Sequence, residues 1–182
     1  MPTLGLPTST TVGKSIINQN FDGLSALPAG WQYGTAKGTG YWVGSSDNVP
    51  YVEDGVLYYD STKCDALIGM PAIDVKNYVF EAEMFATTGG SHIAIFNNMP
   101  ASTVIGTSDI KACLNIVSTD QYTSPAIGYC QNGMDNNGAL KGVTSVDATG
   151  FAPAPNKKVN LKVYCVNGRN YFYVNDVYRA DY

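Results

Sequence analysis

The chain has 182 residues, of which 14 % are charged, and a formal net charge of -4. Lys and Arg are sparse and unclustered, so no surface for a polyanion is encoded, and nucleic acid is excluded as a partner. Aromatic and β-branched residues are too abundant for a disordered chain, and no stretch has the length and apolarity of a helical membrane span.

The opening segment, MPTLGLPTSTTVGKS, lacks the charged start and apolar run of a signal peptide. Its Pro, Thr and Ser content marks residues 1–15 as an arm or linker, with one domain expected over 16–182. Either Met1 heads an excised module, or the protein leaves its cell without a signal, as a phage structural protein does.

From there on, apolar residues alternate rather than recurring every three or four positions, so strands are expected and no long helix. Strands are predicted at 15–20, 30–33, 41–45, 55–60, 66–70, 78–87, 92–97, 112–119, 126–131, 159–166 and 170–175. Turn signals separate them: Asp22-Gly23, Pro28-Ala29-Gly30, Asp54-Gly55, Gly89-Gly90, Asn132-Gly133, Asn137-Gly138 and Asn167-Gly168. Many short strands at this spacing predict an all-β, antiparallel, two-sheet sandwich. Residues 133–155 form the longest stretch without a clear strand and are expected to be a rim loop. With 13 Tyr, 19 Gly and much Ser, Thr and Asn, the composition is that of secreted or surface β proteins.

Candidate functional residues follow in chain order. The Gly-rich loop 34–40 is not G-x-G-x-x-G and no helix follows it, which argues against a phosphate site. Tyr41 and Trp42 at its end either fill the core or, if exposed at the rim, offer the best stacking platform in the chain. In 78–85, Phe80, Ala82 and Met84 share the core parity and leave Glu81 and Glu83 on the other side. Two carboxylates so placed could act as acid and base, or hydrogen-bond a sugar hydroxyl. If Ile93 and Ile95 are core, His92 and Phe96 share the face of Glu81 and Glu83. His92 is the only histidine, and a lone strand His is more often solvated than catalytic. No G-x-S-x-G or family-type cysteine signature accompanies it.

Cys64, Cys113, Cys130 and Cys165 are widely spaced, with no zinc pattern. Two disulfides with three connectivities and four buried thiols are comparable expectations. Cys113 and Cys130 lie on adjacent predicted strands and are the favoured pair if a bridge exists. Cys165 has core parity. The loop 133–138 supplies oxygen ligands but follows no EF-hand pattern, and a turn is the favoured reading.

The hairpin NLKVYCVNGRNYFYVND can be worked out from parity. A two-residue type I′ turn at Asn167-Gly168 pairs Val166 with Arg169, Tyr164 with Tyr171, Val163 with Phe172, Lys162 with Tyr173 and Leu161 with Val174. Leu161, Val163, Phe172 and Val174 then share a core face, and Lys162, Tyr164, Tyr171 and Tyr173 the other. That second face is either a cross-strand tyrosine cluster that stabilises the sheet or a platform for a flat ligand such as a sugar ring.

The order FDGLSALPAGW, VEDGVLYY, NYVFEAEMF, SHIAIFNN and VNLKVYCVNGRNYFYVND resembles the concanavalin A-like lectin/glucanase superfamily, notably its laminin-G-like and 3-keto-disaccharide-hydrolase-like jelly rolls. The likeness runs from about Phe21 to Asp176 and is one of structural positions. It implies a jelly roll whose concave sheet carries Glu81, Glu83 and His92. It also implies that a structural calcium is a possible ligand, at Asp22 or Asp135. The E-x-D-x-x-E strand of the family's glucanases is matched here only by Glu81-Ala82-Glu83-Met84-Phe85-Ala86, without the last carboxylate. Family members continue past the last hairpin with a closing strand. Here it must come from 177–182, from the Pro/Thr arm, from another chain, or be absent.

The expected function is therefore that of a non-catalytic carbohydrate-binding or adhesion module, extracellular, at a cell surface or on a phage particle. Its glycan would lie on the concave sheet and rim aromatics, without a cofactor. The alternatives are a glycoside hydrolase-like enzyme using Glu81, Glu83 or His92, and a structural or assembly module bound to neighbouring domains or subunits.

Overall fold

The computed structural model describes residues 13, 15–35, 49–60, 66–71, 73–87, 92–97, 112–117, 126–129, 144–147 and 155–181. Among them there is no helix, and none is long and apolar enough to cross a membrane. The strands are β1 (Gln32–Thr35), β2 (Tyr51–Glu53), β3 (Val56–Tyr58), β4 (Ala66–Gly69), β5 (Tyr78–Met84), β6 (His92–Asn97), β7 (Ala112–Val117), β8 (Ala126–Tyr129), β9 (Thr144–Asp147), β10 (Val159–Val166), β11 (Arg169–Val174) and β12 (Val177–Asp181). Every pairing is antiparallel: β1 with β4, β2 with β3, the meander β6-β7-β8-β9, and the sheet β12-β11-β10-β5.

The last of these sheets carries most of the buried residues among those described. Asn167 and Gly168 have φ of 51° and 80°, the pair of positive values that a two-residue hairpin turn requires. The predicted register follows, with Val163 opposite Phe172 and Leu161 opposite Val174. On the other flank of β10, Leu161 faces Ala82, Val163 faces Phe80 and Val159 faces Met84. One side of the sheet is thereby apolar. Leu161, Val163, Phe172 and Val174 expose nothing, Val159 exposes 1 % and Cys165, a free thiol, 5 %. Burying each aliphatic or aromatic side chain contributes about 1.5–3 kcal/mol, so this face stabilises the domain heavily. The turn itself is tied down by Asn77, whose Oδ1 accepts the Asn167 N–H at 2.8 Å.

After the β10–β11 hairpin the chain continues into β12, where residues 177–181 pair with β11. The link is a second tight turn at Asn175-Asp176, with φ of 49° and 61°, two residue types that tolerate left-handed backbone. Between Phe172 and Tyr173 the register slips. Tyr173 faces Tyr178 while Phe172 faces Ala180, so Arg179 is an extra residue, a β-bulge.

Several expected strands differ. Residues 15–20 are irregular: Ile16 and Ile17 are exposed, and among the described residues no strand pairs with the segment. Gly30, at φ 82°, is the third residue of a turn closed by Trp31 N–H donating to the Pro28 carbonyl at 3.1 Å, so β1 begins only at Gln32. β2 was not expected. It exists because Asp54-Gly55, at φ 50° and 73°, folds Tyr51–Glu53 back on Val56–Tyr58. β9 lies inside the expected rim loop 133–155, where it pairs with β8. The expected strand 41–45 lies outside the described residues.

Candidate functional site

The side of the β12-β11-β10-β5 sheet opposite the apolar one is dense in tyrosine and charge. β10 turns Asn160, Lys162 and Tyr164 to it, because the alternate positions are buried. β5 brings Glu83, Glu81 and Val79 opposite those three. β11 adds Arg169, Tyr171 and Tyr173, and β12 adds Tyr178 and Asp181. Two rows cross the sheet: Tyr178, Tyr173, Lys162, Glu81, and Asp181, Tyr171, Tyr164, Val79.

Lys162 is the centre. Its Nζ donates to Asp176 Oδ1 at 2.5 Å and stands 3.3 Å from Glu81 Oε1, with only 14 % of the side chain exposed. The hydrogen bond to Asp176 raises the ammonium pKa above its ordinary value; burial opposes this and Glu81 adds to it. Glu81 Oε1 also accepts from Asn160 Nδ2 at 2.7 Å. Glu83 pairs instead with Lys158 at 2.6 Å, and both those side chains are more than half exposed. The two carboxylates thus go to separate lysines in open surroundings. That arrangement suits hydrogen bonding more than proton transfer, which works best from a water-shielded carboxyl.

The rings pack edge to face. Tyr173 lies 5.2 Å from Tyr164 and 5.7 Å from Tyr178, centroid to centroid, a geometry that aromatic quadrupoles favour. Tyr173 is walled in and only 8 % exposed, whereas Tyr178 at 39 % presents an open ring. Burial, with Tyr164 and Tyr171 beside it, raises the Tyr173 phenol. Two buried polar atoms here, Tyr173 Oη and Asn160 Oδ1, have no hydrogen-bond partner.

At the far corner, Asp181 accepts from Tyr178 Oη and from Arg169 Nε. The Tyr178 hydroxyl and the Arg169 guanidinium hold the Asp181 carboxyl below its ordinary range, against the effect of burial. Partial desolvation, with the bond to that carboxylate, pushes the Tyr178 phenol up to about 12. The Arg169 guanidinium also lies 6.0 Å over the Tyr171 ring, a cation–π contact.

Of the residues singled out in the sequence, the fold brings Glu81, Glu83, Tyr164, Tyr171 and Tyr173 onto one face. His92 and Phe96 lie on β6, opposite Val117 and Cys113 of β7, at positions whose side chains fall outside the described set. Tyr41, Trp42, Asp135 and Cys130 lie outside the described residues. Asp22 accepts a hydrogen bond from Asn20 Nδ2 at 2.6 Å, and its Oδ1 lies against the β2–β3 turn, 2.7 Å from where a Cβ at Gly55 would sit. Among the described residues no cluster of three or more His, Cys, Asp or Glu is placed to hold a metal.

Sequence reasoning missed Asp176, Tyr178 and Asp181, although Asn175-Asp176 is a turn signal as clear as Asn167-Gly168. It also missed a stacked pair on the β2–β3 hairpin. Tyr51 and Tyr58 lie opposite each other with centroids 5.3 Å apart and planes 18° apart. Counting outward from Asp54-Gly55 gives that pairing directly.

No family model, curated protein or solved structure matches the chain.

Proposed function

We propose that the protein is a non-catalytic carbohydrate-binding module, an adhesion domain of a surface, secreted or phage protein. In this reading the strands close into a two-sheet jelly roll of the concanavalin A-like kind, with the Lys162 face as its concave side. The supporting observation is the Lys162 centre: an ammonium between the Glu81 and Asp176 carboxylates, set among the rings of Tyr164, Tyr171 and Tyr178. Sugars need both components, apolar ring surface for their C–H faces and charged or amide groups for their hydroxyls.

A glycan array followed by affinity electrophoresis tests the proposal. Retention should fall roughly ten- to hundredfold in Lys162→Met, the effect of losing a charge-assisted hydrogen bond of about 1.5–3 kcal/mol. Tyr178→Ala should weaken the same ligand without touching Lys162. Failure to retain any glycan at millimolar concentration would remove the proposal. Turnover of a sugar that disappears in Glu83→Gln would replace binding by catalysis.

A further inference from the structure

We infer that the ligand is an extended, linear glycan, whose chain runs from the Lys162 centre along β5 to the Tyr51–Tyr58 pair. The inference rests on the carbohydrate reading above and adds a second contact region to it.

The pair is built by the Asp54-Gly55 turn, which sets Tyr51 directly against Tyr58. Tyr58 also meets Phe85 edge to face, with centroids 6.1 Å apart and planes at 86°. Tyr58 thus has two ring contacts, while its partner Tyr51 is 49 % exposed. An aromatic face fixed in place and open to solvent is the element that stacks on a pyranose. Glu53, two positions along β2 and exposed, shares the side of Tyr51 and can accept from hydroxyls.

Phe85 connects this pair to the face already described. It continues the parity of Glu81 and Glu83 one residue past the end of β5. From Glu81 to Phe85 the chain advances four residues, roughly 14 Å at about 3.4 Å per residue, more than one sugar ring spans. The Glu83–Lys158 ion pair lies between. Aromatic, charged and aromatic groups thus succeed one another along one strand. A single sugar would reach only one end. A linear chain would engage both, and the second contact would act at the high effective concentration that tethering provides.

The test is a ladder of linear gluco-, xylo- and manno-oligosaccharides, from disaccharide to intact polysaccharide, titrated calorimetrically. Wild-type affinity should rise with chain length. Tyr51→Thr, which keeps strand preference and removes the ring, should lose roughly three- to tenfold for the longest ligands and nothing for the disaccharide. Tyr51→Phe should behave as wild type. Independently of any variant, the Tyr51 ring signals in NMR spectra should shift on adding polysaccharide and not on adding disaccharide. Equal loss at every length, or no loss at any, would overturn the extended site while leaving the Lys162 site standing. Absence of binding by the wild type to the whole ladder would overturn both.

Discussion

Val163 on β10 and Phe172 on β11 stand directly opposite each other, and neither exposes any surface. One step along the same hairpin, Tyr164 and Tyr171 oppose each other on the other side. Phe172→Ala is expected to lose about 3–5 kcal/mol, as truncation of a buried aromatic does. Tyr171→Ala, which removes a half-exposed ring, should cost about 1 kcal/mol or less. Urea unfolding measures both, and equal losses would contradict the sorting of faces.

The corner formed by Arg169, Tyr178 and Asp181 predicts opposite responses to acid and alkali. Asp181 has a lowered folded-state pKa, so its contribution is present above its unfolded value, ordinarily near 3.8, and is lost as pH falls through the lower folded one. Tyr178 has a raised pKa, so its contribution is present below its unfolded value near 10.0 and fades as pH climbs toward about 12. Lys162, also raised, adds to the alkaline loss. An ultraviolet phenolate titration should show a late step near that upper value that is missing in Tyr178→Phe. Asp181→Asn should flatten the acid limb of the stability curve.

Two hairpin glycines separate backbone strain from crowding. Gly55 and Gly168 have φ of 73° and 80°. An added Cβ at Gly168 meets nothing within 4 Å, whereas at Gly55 it meets Asp22 Oδ1 at 2.7 Å. Gly168→Ala should therefore cost about 1–2 kcal/mol from the left-handed backbone alone, and Gly55→Ala more. In the Asp22→Ala background the two costs should converge, as read by thermal unfolding.

Parity made the β10–β11 hairpin legible. Asn167-Gly168 specifies a turn type, the turn specifies a register, and the register sorts Leu161 from Lys162 without further information. The same chain of steps worked on β5, where Glu81 and Glu83 are exposed and Phe80, Ala82 and Met84 are more sheltered. It failed where a turn was recognised but not followed outward, as at Asp54-Gly55, and where no compositional cue exists. Thr144–Asp147 is polar and short, and only its partner β8 makes it a strand. The ion pairs of Lys162 were illegible for another reason. The residue opposite, Glu81, is 81 positions earlier, and Asp176 reaches in from a turn, so neither contact is a local property of the chain. Burial of Tyr173 between Tyr164 and Tyr178 likewise depends on β12, which a reading from β10 and β11 alone leaves out.

The extra residue at Arg179 acts as a phase shifter. In an unbroken strand, positions three apart point to opposite sides, and Tyr178 and Asp181 would be divided by the sheet. Slipping one position returns both to the same side, where hydroxyl and carboxylate meet. Removing Arg179 outright should therefore spare this corner: Tyr178 and Asp181 would stand two positions apart in a regular strand, still on one side opposite Tyr173 and Tyr171, and Arg169 would keep its counter-ion.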